Sequence, residues 1–163
     1  MTSLSSVKDA ELLRLTLVAH FNASPERVEC LGGPTKARTL VGPPYYPATF
    51  TRHDFSVGGE SRCYMTGSNG DTLHGSWRVT LLDKPSRLEF DNGLAGDDGE
   101  PRLDVAPTPS FVTFESLAGG TRMTGVTNFT SVAQMEMMLA MGMQEGVEQA
   151  LGQIDVVLSS AAV

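Results

Sequence analysis

The sequence predicts an α+β fold, a curved antiparallel β-sheet wrapped around a long C-terminal α-helix, with two short helices after the first strand. Three observations predict it. The segment from Ser131 to Leu158 carries no proline, and Met135, Leu139, Met143, Gly146, Ala150, Ile154 and Val157 recur in it at three- and four-residue spacing, one face of a helix. Almost everything before it reads as short strands separated by turn signals. A lone terminal helix must bury its apolar face, and the large partner on offer is a sheet. A sheet gripping one helix tends to leave a cavity between them, which is where function is expected. Gln144, Glu145, Glu148 and Asp155 are expected on the opposite, solvent-facing side of the helix.

Taken in order, residues 1–10 are polar and are expected to be a flexible tail of one domain spanning 1–163. Leu12 to Phe21 is the first strand candidate. Ser24-Pro25-Glu26 is a helix-start signal: a capping hydroxyl, a proline suited to the first helical position, and a carboxylate at the positive end of the dipole. A second helical piece is expected over Thr35–Leu40, ended by Gly42-Pro43-Pro44. Ala48–Val57 and Glu60–Thr66 flank Gly58-Gly59, a hairpin signal because both glycines tolerate positive φ. Tight pairing there sets Asp54 opposite Cys63 and Ser56 opposite Ser61, whereas a bulge reverses the faces. Thr72–Leu82 is a strand containing the lone tryptophan, Trp77, and Arg87–Phe90 is a short one. Asp91–Pro109 reads as a Gly-, Asp- and Pro-rich surface loop. Ser110–Leu117 and Thr121–Phe129 close a last hairpin around Ala118-Gly119-Gly120.

The bulk properties narrow the function classes. A chain of 163 residues can bury a substantial core. Its net charge of −7 argues against nucleic acid and anionic membranes as partners, since both need clustered Lys and Arg. No apolar stretch approaches the roughly 20 residues that span a bilayer, and no membrane insertion is expected. Residues Met1 to Glu11 lack the apolar stretch of a signal peptide, and Cys30 and Cys63 show neither disulfide-framework nor zinc spacing. Reduced thiols and a cytoplasmic location are the expectation.

A family resemblance rests on an ordered set of segments. These are Ala23-Ser24-Pro25-Glu26-Arg27-Val28, Val57-Gly58-Gly59, Gly75-Ser76-Trp77-Arg78-Val79, Lys84-Pro85-Ser86-Arg87-Leu88-Glu89-Phe90, Gly119-Gly120-Thr121-Arg122-Met123-Thr124 and Met141-Gly142-Met143-Gln144-Glu145-Gly146. In that order the chain resembles the START-like (SRPBCC, birch-pollen-allergen-like) superfamily, in the branch related to activators of the 90-kilodalton heat-shock ATPase. The resemblance implies a helix-grip fold with an internal cavity for a hydrophobic or amphipathic molecule. Lipid carriers, hormone receptors, polyketide cyclases and heat-shock ATPase activators share that fold, so the fold alone does not choose among them. The sequence departs from its relatives where they often carry tryptophan: Leu40-Val41 and Val147 stand there instead. Smaller residues at these places could enlarge or reshape the cavity.

The candidate ligand-binding residues are Trp77, Val79, Cys63, Met65, Phe50, Met138, Gly142 and Gly146. Glycines in a helix interior cost about 1 kcal/mol each relative to alanine. Gly142 and Gly146 therefore signal either close packing on the sheet or space for a ligand, and Gly142→Leu is expected to weaken uptake. Trp77 offers an indole N–H on an apolar wall. Arg52, His53, Asp54 and His74 are the possible polar cavity groups, with Arg52 and Asp54 on one strand face and His53 and Phe55 on the other. No metal site and no cofactor are expected: the histidines lack ligand spacing, and no phosphate loop, dinucleotide fingerprint or nucleophile elbow appears. Met137 and Met141, on the polar side of the helix, suit a homodimer or partner surface.

The leading functional expectation is binding of a small hydrophobic molecule in the cavity. One alternative is a polyketide-cyclase-like enzyme using Arg52, His53, Asp54 or His74 as acid or base. The other is an interaction protein like the heat-shock ATPase activators, with a filled core and a surface patch.

Overall fold

The computed structural model describes residues 3–29 and 45–160. Among the described residues there are eight strands: β1 (Ser3–Asp9), β2 (Arg14–Phe21), β3 (Ala48–His53), β4 (Glu60–Thr66), β5 (Thr72–Asp83), β6 (Arg87–Leu94), β7 (Thr108–Leu117) and β8 (Gly120–Asn128). Helix α1 (Pro25–Glu29) follows β2, and α2 (Val132–Ala140) and α3 (Met143–Ser160) follow β8. The strands form one antiparallel sheet in the order β1-β2-β8-β7-β6-β5-β4-β3. The expected Thr35–Leu40 helix, Gly42-Pro43-Pro44, Leu40-Val41 and Cys30 lie outside the described residues.

Ser3 to Asp9, expected in a flexible tail, form an ordered strand. Ser3–Asp9 pairs along its whole length with β2, from Ser3 opposite His20 to Asp9 opposite Arg14. The reason is local alternation in a segment of low hydrophobicity. Leu4 packs against the core, and Ser6 donates to Glu148 on α3. The Asp9 carboxylate accepts from the backbone N–H groups of Glu11 and Leu12 and so shapes the turn into β2.

The core sits between β2 and the C-terminal helices. Leu15, Leu17, Ala19 and Phe21 alternate inward along β2 and meet Met135, Met138, Leu151 and Leu158. Leu15 and Phe21 are almost wholly buried, each contributing about 1.5–3 kcal/mol relative to exposure. Antiparallel partners point to the same face, so this inner face can be followed strand by strand across the sheet.

The terminal helix is two helices, not one. Ser131 caps α2, its hydroxyl accepting from Gln134 N at 3.0 Å. The α2 end is closed by Met141 N donating to Met137 O and Gly142 N donating to Leu139 O, with Gly142 at φ +82°. That left-handed residue is the usual way to end a helix, and here α3 restarts immediately. The core-facing side of α3 is Met143, Val147, Leu151, Ile154, Val157 and Leu158. Met143, Ile154 and Val157 belong to the stripe expected from one continuous helix, whereas Val147, Leu151 and Leu158 take up the contact that the stripe assigned to Gly146 and Ala150. Gln144 and Glu148 are likewise not on the solvent side. Both bond Ser6 of β1, and Gln144 Nε2 also donates to Glu148.

Candidate functional site

Three neighbouring rows of side chains cross the inner face of the β3–β7 half of the sheet. In the first, Phe50 is opposite Cys63, Cys63 opposite Gly75, and Gly75 opposite Leu94. In the second, His53 faces Ser61, Ser61 faces Trp77, Trp77 faces Asn92, and Asn92 faces Thr108. In the third, Val79 faces Phe90, Phe90 faces Ser110, and Ser110 faces Thr127, which in turn faces Leu15. The third row joins this region to the core face of β2, which fixes all three as inward.

The rows make an aromatic wall with a polar strip through it. Phe50 contacts Trp77 edge-on at 5.7 Å between ring centroids, and Trp77 contacts Phe90 at 6.0 Å. Phe50 also meets the His53 ring at 4.8 Å, and His53 stacks on Phe55 at 6.0 Å. His53 Nδ1 lies 2.8 Å from the buried Ser61 hydroxyl. Phe50 and Cys63 are buried, with Trp77 packed against them, and form a cluster separate from the helix-bearing core. Burial pushes the Cys63 thiol up to about 11, so at neutral pH it is a protonated, weakly polar wall group and not a nucleophilic thiolate.

The β3–β4 connection and a bulge set this arrangement. Pairing slips between Phe50 and Arg52, and the β3–β4 connection runs from Asp54 to Gly59. Asp54 is therefore not opposite Cys63, nor Ser56 opposite Ser61; Phe50 and His53 take those places. Gly59 closes the connection, because a Cβ there would lie 2.4 Å from the Asp54 carbonyl oxygen.

Of the expected ligand-binding residues, Phe50, Cys63, Met65, Trp77 and Val79 share the inner face. Met138 is buried in the helix-bearing core. Gly142 is not on a continuous helix: it occupies the α2–α3 break, and leucine there is strained by the positive φ before any question of filling space. Gly146 lies within α3, and an added Cβ meets nothing within 4 Å among the described residues. Close packing on the sheet therefore explains neither glycine. At about 100° per residue, Gly146 and Ala150 fall on the flank of α3 opposite to Gln144 and Glu148. Since those two bond β1 at one edge of the sheet, Gly146 and Ala150 lie on the side toward β7–β3.

Of the expected polar cavity groups, His53 alone faces inward. Arg52 is opposite Arg62 on the outer face, where Arg62 bridges Glu60 and Glu100 and Arg52 reaches Glu60 at 3.5 Å. The Arg62 guanidinium holds the Glu60 carboxyl below the usual carboxylate range. His74 stands opposite Tyr64 on that same outer face, ring centroids 5.5 Å apart. Asp54 is exposed in the β3–β4 connection and accepts from Ser56. A groove of about 210 Å³ also opens beneath the connection between β6 and β7; its lining includes the outward Glu60, Arg78, Asp91 and Arg102 together with Trp77 and Leu94. Met137 and Met141 are exposed, at 37% and 45%.

Sequence reasoning missed Phe90, Asn92, Ser61 and Ser110 as inner-face residues. The signal for two of them was present: Leu88, Phe90, Asn92 and Leu94 alternate, with one amide in an otherwise apolar stripe. Asp91-Asn92-Gly93 reads as a turn, and that concealed the second half of β6.

Among the described residues no group of three or more His, Cys, Asp or Glu side chains is placed to hold a metal ion. No helix among them is long and apolar enough to cross a membrane.

An antiparallel sheet curved over C-terminal helices, with aromatic and hydroxyl side chains on its inner face, defines the helix-grip class. Within that class the chain belongs to the family described as activator of Hsp90 ATPase homolog 1-like protein, whose sequence profile matches residues 23–159. It is similar to a protein from Arthrobacter aurescens solved by NMR, with 42% identity over 97% of this chain and 92% of that one and a TM-score of 0.89. It is also similar to a crystallised protein from Mycobacterium smegmatis, with 34% identity over 94% of this chain and 95% of that one and a TM-score of 0.87. A Rhodobacter sphaeroides crystal structure shares the fold at 22% identity, with 97% and 99% coverage and a TM-score of 0.81. No curated protein matches the sequence.

Proposed function

We propose that this chain binds a small hydrophobic or amphipathic molecule between the β3–β6 half of the sheet and the flank of α3 that carries Gly146 and Ala150. One observation carries the reading: Phe50, Cys63 and Trp77 pack as a cluster apart from the core that holds the helices. Aromatic walls crossed by a few polar groups are the usual make-up of a small-molecule site. The ligand contacts are Phe50, Cys63, Met65, Trp77, Val79 and Phe90, with Ser61, His53 and Asn92 as the hydrogen-bonding groups. Native mass spectrometry of the purified protein, followed by organic extraction, tests this. A co-purified apolar compound at one per chain supports it. A clean apo mass, together with no uptake from a panel of apolar compounds, overturns it.

An interaction role is the second reading, favoured by the exposure of Val132, Met137 and Met141 on and just beyond α2. The same spectrum tests it, because a self-association surface there requires a dimer that Met137→Lys dissociates.

A further inference from the structure

We infer that Asn92 is the specificity-determining residue of this site, and that it selects an uncharged ligand presenting a ketone, amide or hydroxyl group. The inference rests on the ligand-binding reading above and deepens it.

Among the described residues, neighbouring hydroxyls of the inner face find partners within the fold, whereas the Asn92 amide does not. Thr108 Oγ1 donates to Asn92 O at 3.2 Å, Ser110 and Thr127 hydroxyls bond each other at 3.2 Å, and Ser61 bonds His53. Among the described residues the Asn92 side-chain amide makes no hydrogen bond, and neither does the indole N–H of Trp77, its cross-strand partner. Asparagine is disfavoured inside strands, and this one stands in an apolar stripe. A residue that breaks the local rule with no structural gain marks a functional position. Its amide offers donors and an acceptor together, so it can serve a carbonyl or a hydroxyl. Trp77 adds a donor beside it.

The surroundings favour a neutral partner. Around Asn92 the inward residues are Leu94, Gly75, Phe90, Ser110, Thr108 and Trp77, none of them charged. An ionised ligand group there loses its hydration and gains no counter-ion from the described residues.

The test uses three probes with one hydrocarbon body, titrated by amide NMR: 2-acetylnaphthalene, 2-naphthoate and 2-ethylnaphthalene. The ketone is expected to bind tightest. Asn92→Leu is expected to weaken the ketone about three- to ten-fold and leave the hydrocarbon unchanged or tighter. Asn92→Asp serves the same purpose if the leucine variant does not fold, and is expected to weaken the ketone and exclude the naphthoate. Naphthoate binding tighter than the ketone, or equal losses for ketone and hydrocarbon in the variant, overturns this inference and leaves the ligand site standing. Failure of all three probes to bind overturns both.

Discussion

His53 and Ser61 face each other across β3 and β4, with Nδ1 and Oγ 2.8 Å apart, although neither lies at the position that tight pairing across Gly58-Gly59 assigns to it. The six-residue connection Asp54–Gly59 sets this pairing, and the bulge between Phe50 and Arg52 aligns the rest of β3 with it. Together they turn His53 inward with Phe50 and leave Arg52 outside. Removing the buried hydroxyl in Ser61→Ala is expected to cost about 1 kcal/mol. Urea unfolding followed by Trp77 fluorescence checks it, with a lower midpoint at unchanged slope as the expected outcome.

Gly142 and Gly146 respond in opposite directions to alanine. Gly142 holds positive φ, so Gly142→Ala is expected to destabilise by about 1–2 kcal/mol. Gly146 is helical, and among the described residues nothing lies within 4 Å of its Cβ position, so Gly146→Ala is expected to stabilise by about 0.5–1 kcal/mol. Thermal unfolding of the two variants decides it; a gain in both would indicate one continuous helix.

The Cys63 thiol sits at about 11 in the folded chain, above its ordinary value of 9.0. Between those values the folded chain holds a proton that the unfolded chain has lost. Its contribution to stability is therefore complete below pH 9 and is lost as pH rises toward 11. The fall in stability across that window is expected to be smaller in Cys63→Ala. In a Cys30→Ser background, the native protein is expected to react with thiol reagents at pH 8 far more slowly than the denatured chain.

Glu29 is buried, at 9% exposure, and pairs with Lys84 at 3.3 Å. Lys84→Met leaves the buried carboxylate without this partner, while the double variant Glu29→Gln/Lys84→Met removes the charge as well. The single variant is expected to be less stable than the double by about 1–3 kcal/mol, as read from urea midpoints.

The hairpins were legible from turn residues, because Gly58-Gly59, Asn69-Gly70 and Gly119-Gly120 punctuate the chain between apolar runs. Three features were not legible, each because a local signal pointed the other way. Ser3–Asp9 is too polar to read as a strand until Leu4 and Ser6 meet the core and α3. The Asp91-Asn92-Gly93 run carries turn chemistry inside a strand. Gly142 in an apolar periodic segment reads as a tolerated helix residue, although its φ of +82° ends α2. The site inherits these limits. Phe50, Cys63 and Trp77 were readable as one set, and they share the inner face, whereas the inward places of Asn92 and His53 depend on β6 length and on the β3–β4 connection with its bulge.

Chemical-shift mapping on the ligand-extracted protein tests the central claim most directly. Backbone amide spectra are recorded as 2-acetylnaphthalene is added. The account predicts shifts concentrated at Phe50, Ser61, Cys63, Trp77, Phe90 and Asn92, with Gly146 and Ala150 responding on α3. Shifts confined to the outer face around Arg62, Glu100 and His74, or to Met137 and Met141 on α2, would contradict it.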